Sequence, residues 1–575
     1  MKPRLEPDNA ALAGRPAAGQ LAAVQAYHQR TKHLPGRFAP GPGYLDWVNQ
    51  PDPFRRFADT RLIELPLVLQ QEAVQFGALH RPGSVPPRRV TLESLGLFLE
   101  LALGLTAWKE FEGTRWALRS NPSSGNLHPT EGYILLPPIK GISKNPGLYH
   151  YASREHALEE RCVLSDAAWV ALMGASAPPG FLVGLASVHW RETWKYGERA
   201  YRYCQHDAGH ALGSLRYAAA VLGWTMRLVP EPSDADLSTL MGLDRTPDSA
   251  DAEPAFPDLL AIVVAGPEPS IAPRISGDAI HMVGNGTWRG KANKLSPVHV
   301  DWPWIATMEA SAVKPRTEPL IQPPIDEDLQ SRISATAREM TGPSAVSIIR
   351  QRRSAVAMDG RTSVSRAAFM DMLSRTMPDS NTVPWDAFPF PARILLCLFV
   401  HRVDGLQPGV YVLMRDPVRL ETFRAACRDD FSWTRIRGTD LPLYELMRAD
   451  FRSSAAHLSC TQEIAGDGAF SLGMIADFAR TLKEEGPWAY RRLFWEAGLI
   501  GQVLYLEAEA AGVQATGIGC YFDDLLHQGL GLDLAGDAWQ SLYHFTVGGA
   551  IDDTRLTTLP GYFHLPDRRR VRPGG

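Results

Sequence analysis

Two stretches of 25 residues, one in each half of the chain, decide how the protein is organised. Residues 200–224 read AYRYCQHDAGHALGSLRYAAAVLGW, and residues 489–513 read AYRRLFWEAGLIGQVLYLEAEAAGV. Aligned without a gap, they are identical at 8 of 25 positions. In both, apolar residues recur at spacings of three and four, which is typical of an amphipathic helix. The sequence therefore predicts two related long helices.

A second repeat precedes each predicted helix. Residues 147–159 read GLYHYASREHALE, and residues 409–421 read GVYVLMRDPVRLE. Each follows an apolar run, at 133–136 or at 394–400, and each is typical of a strand, a turn and a second strand. Coincidence between short matches is the alternative, but the shared order of the elements favours an internal duplication.

The composition is that of an ordinary folded protein. Apolar residues make up 45% and charged residues 21% of the 575 residues, and this length predicts two or three domains. A net charge of −4 argues against nucleic acid as a partner. The apolar runs are too short to span a bilayer. Six cysteines without a CxxC pair argue against a zinc site or a disulfide framework, so we expect a reduced, cytoplasmic protein.

Clustered prolines separate the two halves, since proline cannot continue a helix or a central strand. The prolines concerned are Pro267, Pro269, Pro273, Pro315, Pro319, Pro323 and Pro324. We predict an N-terminal extension at 1–90 that wraps the first domain, a first domain at 91–266, a proline-rich linker at 267–330 and a second domain at 331–575.

The sharpest local signal is the stretch RSNPSSGNLHP at 119–129. Its centre is a small turn, rich in hydroxyl groups, that consists of Pro122, Ser123, Ser124, Gly125 and Asn126. Such a turn exposes backbone N–H groups and hydroxyls to a polar ring or a phosphate. Many turns of this kind only cap helices, so the residues alone leave that alternative open.

The turn resembles the Pro-Ser-Ser-x-Asn-x-x-Pro motif of the nitroreductase family. The following LHPTEGYILL, the GLYHY at 147–151 and a Lys-Tyr-Gly-x-Arg-x-x-Arg-Tyr helix resemble its SagB-type branch, the thiazole/oxazole-forming dehydrogenases. The helix motif consists of Lys195, Tyr196, Gly197, Arg199, Arg202 and Tyr203. The resemblance covers most of residues 25–266.

Other pieces similar to the same family lie in the second half. They are an Arg-x-Ser phosphate grip, a glycine-rich loop against the flavin ring and a late phosphate-binding basic residue. The matching residues are Arg352, Arg353, Ser354, Gly517, Ile518, Gly519 and Arg555. Arginine suits phosphate because its hydrogen bonds are charge-assisted and forked. Val356 departs from the pattern, since a basic residue is common there, so the grip is expected to be weaker or to be completed elsewhere.

Nitroreductases resemble one another as intertwined homodimers that bind FMN between subunits. The resemblance implies an α+β fold in which two nitroreductase-like domains, each a mixed sheet flanked by helices, are fused as a pseudo-dimer. The two sets of motif residues are complementary, which implies one FMN per chain. The other site looks abandoned, because Glu484 and Glu485 align with Lys195 and Tyr196, and the FRRF at 54–57 is a poor Arg-x-Ser.

The branch removes two hydrogens from a C–C or C–N unit: flavin N5 takes a hydride and a protein base takes the proton. In azoline-oxidising members a matching Lys-Tyr pair is held to be catalytic, so the resemblance assigns this role to Lys195 and Tyr196. Both have reference pKa values of about 10, so their surroundings must tune either one to act as a base. The structural alternative is a helix start with a solvated lysine and a half-buried tyrosine.

The leading interpretation is an FMN-dependent dehydrogenase or oxidase of azoline-type heterocycles, acting on a peptide or small molecule in a modified-peptide or secondary-metabolite pathway, with a biosynthetic partner enzyme. One alternative is an NAD(P)H-dependent nitro or quinone reductase, and another is a flavin-free scaffold that binds a peptide or partner enzyme. As a pseudo-dimer, the chain is expected to be a monomer or a higher oligomer. No metal site is predicted, because the His206 and His210 pair lacks a third ligand.

Overall fold

The computed structural model describes residues 17–68, 74–175, 179–249, 251–266, 275–318 and 342–571. The helices of the first half are α1 (Ala17–Arg30), α2 (Leu92–Leu103), α3 (Asp166–Met173), α4 (His189–Tyr196), α5 (Ala200–Val221), α6 (Asp234–Met241), α7 (Thr246–Ser249), α8 (Gly277–Gly284) and α9 (Pro303–Ser311). Those of the second half are α10 (Ala345–Gln351), α11 (Arg366–Thr376), α12 (Leu420–Ala426), α13 (Arg452–Leu458), α14 (Ile464–Asp467), α15 (Phe478–Glu485), α16 (Ala489–Ala510) and α17 (Asp523–Leu530).

The strands alternate with these helices in both halves. Those of the first half are β1 (Phe57–Ala58), β2 (Leu62–Glu64), β3 (Leu67–Val68), β4 (Leu105–Phe111), β5 (Thr114–Arg119), β6 (Thr130–Leu136), β7 (Gly147–Ala152), β8 (Ala157–Val163), β9 (Gly180–Ser187), β10 (Thr225–Leu228), β11 (Phe256–Val264), β12 (Thr287–Trp288) and β13 (Lys291–Ala292). Those of the second half are β14 (Ile394–Val400), β15 (Gly409–Leu413), β16 (Thr434–Arg435), β17 (Leu443–Arg448), β18 (Phe470–Asp477), β19 (Gln514–Ile518), β20 (Trp539–Gly548), β21 (Thr557–Pro560) and β22 (Arg570–Val571).

Two sheets of the same construction organise the chain. The first has the order β10-β11-β9-β6-β7-β8-β12, with β2 also on β8, and the second has the order β19-β20-β18-β14-β15-β17-β16. Their first six strands correspond one to one, with the same antiparallel pairings. The α+β class is confirmed, and the shared strand order is an internal structural repeat.

Strand β14 shows why the central strands are continuously apolar. Leu396 and Leu398 face the large core that contains the long helices, whereas Leu395 and Cys397 face a separate core on the other side of the sheet. Because successive side chains point to opposite faces, a strand covered on both faces needs an apolar residue at every position. The strands predicted at 133–136 and 394–400 are confirmed.

The two predicted long helices form as α5 and α16, and they pack against each other between the sheets. The indole N–H of Trp495 donates a hydrogen bond to the side-chain oxygen of Gln205 at 2.7 Å, and His210 lies 3.4 Å from the Gln502 side-chain oxygen. Every residue of α5 is buried, since this helix is surrounded by its partner helix, by α2 and α4 and by strands of the first sheet. The two long helices predicted from the repeat are therefore confirmed.

Two predictions about the sheets are wrong in detail. Residues 409–421 do not form a strand, a turn and a strand: Pro417 begins a helical turn, and the Asp416 side chain caps it by accepting a hydrogen bond from the N–H of Val418. The strand that pairs with β15 is instead β17. In addition, the pairings between the described strands of both main sheets are antiparallel rather than mixed.

The predicted linker at 267–330 is in part a folded piece of the first half. Within it, β12 pairs with β8 and β13 pairs with β1, and helices α8 and α9 lie beside them in sequence. Prolines there begin or border elements rather than prevent them, as Pro303 does at the first turn of α9. Residues 267–274 and 319–341 lie outside the described residues, as do 1–16 of the predicted extension.

The two halves also exchange segments. Strand β21 of the second half pairs with β4, and β22 pairs with β3. At the other end of the chain, α1 of the predicted extension contacts the second half: the Gln25 side chain donates a hydrogen bond to Asp537 at 2.6 Å. The extension therefore wraps both halves rather than the first alone. Among the described residues, no helix is long and apolar enough to cross a membrane.

Candidate active site

A cavity of about 530 Å³ lies where the two halves meet. The first half contributes Lys109, Trp116, Leu118, Arg119, residues 121–126, His128, Tyr196, Tyr203, Asp207 and His210. The second half contributes residues 352–356, Gln462, Tyr505, Gln514, residues 516–520, Tyr543, residues 551–553 and Leu556. This volume is in the ordinary range for a site that binds a small organic molecule.

The hydroxyl-rich turn between β5 and β6 forms one wall. Gly125 and Asn126 have φ values of 59° and 60°, the left-handed conformation that glycine and asparagine adopt most readily. Asn126 fixes the turn by donating a hydrogen bond to the carbonyl of Ala117 at 2.8 Å. The hydroxyl of Ser123 accepts a hydrogen bond from the N–H of His128 at 2.8 Å. The turn is thus a rigid loop that follows a strand and not a cap of one of the long helices.

Lys195 and Tyr196 lie at the end of α4, directly against this turn. A Cβ atom placed on Gly125 would lie 2.5 Å from the Tyr196 hydroxyl oxygen and 3.1 Å from Lys195 Nζ. Both polar groups therefore converge on a position that only glycine leaves open. Tyr196 lines the cavity, and Lys195 stands beside it. The interpretation of the pair as an ordinary solvated helix start does not explain this convergence.

The second half supplies the cationic wall. Arg352 is 3% exposed, and its guanidinium donates one hydrogen bond, to the carbonyl of Arg119 at 3.0 Å. Among the described residues its Nε and Nη1 atoms have no hydrogen-bond partner, although both are buried. Because an unpaired buried charged donor is costly, this group is suited to an anion. Arg353 instead donates its guanidinium hydrogen bonds to the backbone carbonyls of Arg350, Arg352 and Thr106.

The glycine-rich segment at the end of β19 is held by tyrosines. Gly517 donates its backbone N–H to the Tyr505 hydroxyl at 2.9 Å, and the same hydroxyl lies 2.8 Å from the Ser354 hydroxyl. A Cβ on Gly517 would lie 1.9 Å from the Tyr543 hydroxyl oxygen, and one on Gly519 would lie 2.6 Å from the Tyr203 ring. Glycine is therefore required at both positions for the backbone to approach the cavity.

Two carboxyl groups lie behind the turn. Asp207 accepts hydrogen bonds from the backbone N–H and the hydroxyl of Ser124, at 3.1 and 3.2 Å. Burial raises the pKa of Asp207 to about 7 in spite of these bonds. Burial, reinforced by Asp207, raises the pKa of Glu192 well above its usual range. Burial, with Glu192 next, does the same for the pKa of the Tyr196 hydroxyl, which therefore stays protonated at neutral pH.

The structure brings together most of the residues singled out from the sequence. Those that line the cavity are Pro122, Ser123, Ser124, Gly125, Asn126, Tyr196, Arg352, Arg353, Ser354, Gly517, Ile518 and Gly519. Arg555 is not among them, since its side chain is 73% exposed and pairs with Asp553 at 2.7 Å. The prediction of a late phosphate-binding arginine is not supported by this geometry. Two nearby residues, Asp552 and Asp553, bring negative charge to that side instead.

Several lining residues were not assigned to the site from the sequence. Tyr203, Asp207 and His210 belong to α5 and share one face of it at spacings of three and four. Their shared position on one face of the helix was the available signal. Tyr505 and Tyr543 gave no such signal, because a tyrosine in a buried helix or strand is as often part of the core.

The equivalent positions of the second half bind one another. Arg393 pairs with Glu484 at 2.6 Å and with Glu485 at 3.3 Å. Glu496, which corresponds to Asp207 in the aligned helices, is fully buried and pairs with Arg415. Ion pairs thus stand where the first half presents Lys195, Tyr196 and the serine turn.

Comparison with known proteins relates part of the chain to one family. A family model described as the nitroreductase family matches residues 349–549. This chain contains a nitroreductase-family domain. A curated protein from Methanocaldococcus jannaschii, provisionally named a nitroreductase, is 27% identical over 175 residues, which are 29% of this chain and 81% of the relative.

Among solved structures, one is similar in fold to most of the chain. A crystal structure from Anabaena variabilis, also provisionally named a nitroreductase, aligns with 92% of this chain and 99% of its own. The TM-score is 0.65 at 21% identity, so it shows the fold alone. A chain of the Escherichia coli microcin synthetase complex aligns over 46% of this chain and 100% of its own, with 16% identity and a TM-score of 0.26, too low to support an argument.

Proposed function

We propose that this nitroreductase-family oxidoreductase is a fused pseudo-dimer of two nitroreductase-like domains that binds one FMN in the cavity between its halves. The observation that carries the proposal is the buried Arg352 guanidinium, whose Nε and Nη1 atoms have no hydrogen-bond partner among the described residues. A phosphate monoester is an anion that accepts forked hydrogen bonds from such a group. The cavity it borders is built from both halves, as a shared cofactor site requires.

The remaining residues fit the rest of the cofactor. The Gly517 to Gly519 backbone lines the cavity directly, since tyrosines occupy the places where side chains would stand. The hydroxyl-rich turn lines the same cavity through Ser123, Ser124 and Asn126. Lys109, which also lines the cavity, is a second cation that complements Arg352 in place of Arg555. When bound, FMN supplies a two-electron acceptor for hydride.

Side chains of the protein then orient the substrate and accept its proton. Because its pKa is raised, the Tyr196 hydroxyl stays protonated at neutral pH, so it donates a hydrogen bond and orients the substrate. Lys195 stands beside it, over the same Gly125 position, and assists removal of the proton. Asp207, with its pKa of about 7, is a third group that exchanges a proton at neutral pH. These groups surround one end of the cavity, which is where a substrate C–H or N–H unit is expected.

The substrate class that best suits this arrangement is an azoline-type heterocycle, carried by a modified peptide or a secondary metabolite. Oxidation of such a ring needs hydride acceptance on one side and proton removal on the other, and only the first half presents Lys195 and Tyr196. A partner enzyme that forms the heterocycle would act before this one. Oxygen or another electron acceptor would regenerate the oxidised cofactor.

The test is the absorption spectrum and flavin content of the purified full-length chain. We expect one FMN per chain, released on denaturation, and loss of the oxidised-flavin absorbance when an azoline peptide is added without oxygen. A chain that remains colourless after incubation with FMN would contradict the proposal and favour a scaffold. Consumption of NADPH with a nitroaromatic compound, with no response to azolines, would favour a reductase.

A further inference from the structure

Two of the six cysteines stand apart from the others. Cys162, Cys204, Cys397 and Cys427 are buried, whereas Cys460 and Cys520 are partly exposed. The Sγ atoms of Cys460 and Cys520 lie 2.7 Å apart, although the residues are 60 positions apart in sequence. Burial raises the pKa of each of the four buried thiols and makes them inert. Any thiol chemistry is therefore expected at the exposed pair.

The fold holds this pair together from both sides. Cys460 and Thr461 adopt φ values of 54° and 60° just after helix α13, so the chain makes a tight left-handed turn there. The Gln462 side chain donates hydrogen bonds to the carbonyl of Ser459 at 2.8 Å and to that of Cys520 at 3.0 Å. These bonds join the turn to the segment that carries Cys520. The two sulfur atoms are thus already adjacent. To form a disulfide bond they need to move closer by less than about 1 Å.

The surroundings also differentiate the two thiols. The hydrogen bond between the sulfurs lowers the pKa of Cys520, and the Arg199 guanidinium acts in the same direction. The same hydrogen bond, with burial, raises the pKa of Cys460. Cys520 lines the cavity and Cys460 is not among its lining residues, so a disulfide that enters the cavity meets Cys520 first, which makes Cys520 the attacking residue and Cys460 the resolving residue.

We propose that Cys460 and Cys520 form a redox-active dithiol that exchanges with low-molecular-weight disulfides. Cys520 loses its proton and attacks one sulfur of the disulfide, forming a mixed disulfide and releasing one thiolate, which takes up a proton. The Cys460 thiol then loses its proton, and its sulfur attacks the Cys520 sulfur. The second external thiolate leaves and takes up that proton. The two protein thiols are oxidised to one disulfide, and the external disulfide is reduced to two thiols.

The position of this dithiol gives the reaction a consequence for the cavity. Cys520 lines the cavity directly after Gly519, whose carbonyl accepts hydrogen bonds from Tyr203 at 3.0 Å and Arg199 at 3.2 Å. An intramolecular disulfide would fix this segment to the turn at Cys460. The inference does not require a bound flavin, because it rests on the two sulfurs and the backbone that holds them.

The experiment uses the full-length chain, reduced and then treated with glutathione disulfide. After a denaturing quench with an alkylating agent, mass spectrometry should show four labelled cysteines instead of six, and a peptide map should show Cys460 joined to Cys520. The Cys397→Ser control, which alters a buried thiol, should still form the same bond. The Cys460→Ser variant should retain one glutathione on Cys520, because the resolving thiol is gone.

Two results would overturn the inference. One is a wild-type chain that keeps six alkylated cysteines under conditions that oxidise a free model dithiol. The other is a wild-type chain in which Cys460 and Cys520 each carry a separate glutathione with no bond between them. Both results come from the wild-type chain, so they stand even if a serine variant fails to fold.

Discussion

Gly209 and Gly498 are equivalent residues of the two long helices, and their backbones meet where α5 and α16 cross. A Cβ atom on Gly498 would lie 2.2 Å from the carbonyl oxygen of His206 and 3.0 Å from the Gly209 Cα atom. A Cβ on Gly209 would lie 2.3 Å from the carbonyl oxygen of Trp495. The same position of the repeat is thus used twice at one contact, which is how a symmetric dimer interface is built.

Replacing Gly498 with alanine should destabilise the chain. In an exposed helix this change stabilises by about 1 kcal/mol, but here the new methyl group meets backbone, and overpacking costs typically about 1–3 kcal/mol. We expect a lower unfolding midpoint in thermal or urea denaturation. The control is Gly529→Ala in α17, where a Cβ meets nothing within 4 Å, and its midpoint should stay or rise. Equal gains in both variants would contradict the close crossing.

Replacing Arg352 with alanine should weaken FMN binding. A phosphate would lose a charge-assisted partner worth about 1.5–3 kcal/mol, which corresponds to a roughly 10- to 150-fold higher Kd. Flavin fluorescence during titration of the apoprotein measures it. Arg56→Ala is the matched control, since Arg56 lies in the poor Arg-x-Ser of the first half and pairs with Glu155. Similar losses in both variants would place the phosphate elsewhere.

The features predicted correctly from the sequence are those that a short-range residue pattern determines. The periodicity of α5 and α16 and the serine turn at 122–126 gave the positions that meet at the cavity. Arg555 was assigned a phosphate because of where it falls in the chain, but its pairing with Asp553 depends on the conformation of one loop. Asp207 was missed as a site residue because a raised pKa follows from burial by distant elements. The pairing of β21 with β4 is likewise a contact between residues far apart in sequence, which the local sequence pattern does not predict.

Asp207 should give the reaction a pH dependence near neutrality. If its carboxylate must be ionised to accept a proton, kcat/KM rises as the pH passes the raised pKa of about 7. In Asp207→Asn that limb of the profile should disappear. Glu192→Gln is the control, because Glu192 is the neighbouring buried carboxyl and is not among the residues that line the cavity. A profile unchanged in Asp207→Asn would remove this carboxyl from the reaction.

The same carboxyl should affect stability in a defined direction. Its pKa is raised to about 7 in the folded chain, so the folded state binds the proton more tightly than the unfolded state does. The free energy of unfolding that this group contributes therefore falls as the pH rises from about 4 to about 7, by about 1.4 kcal/mol for each pH unit. Unfolding midpoints measured across this range should drop more for the wild type than for Asp207→Asn. Parallel curves would show that Asp207 titrates normally.

Lys195 and Tyr196 should affect turnover and not cofactor binding. Both side chains converge on Gly125 in the first half, whereas Arg352 comes from the second half, so their removal should leave the proposed phosphate contacts intact. General acid–base groups contribute about 10²–10⁴-fold to a rate, and we expect losses in that range for Lys195→Ala, with a smaller loss for Tyr196→Phe. Flavin content is read from the absorption spectrum before turnover is measured, which separates binding from chemistry.

Glu484→Ala is the control. It alters the aligned position of the second half, where the side chain is 42% exposed and pairs with Arg393, so it should leave flavin content and turnover unchanged. Full activity in Lys195→Ala and Tyr196→Phe would make the pair structural and remove the main support for oxidation of an azoline.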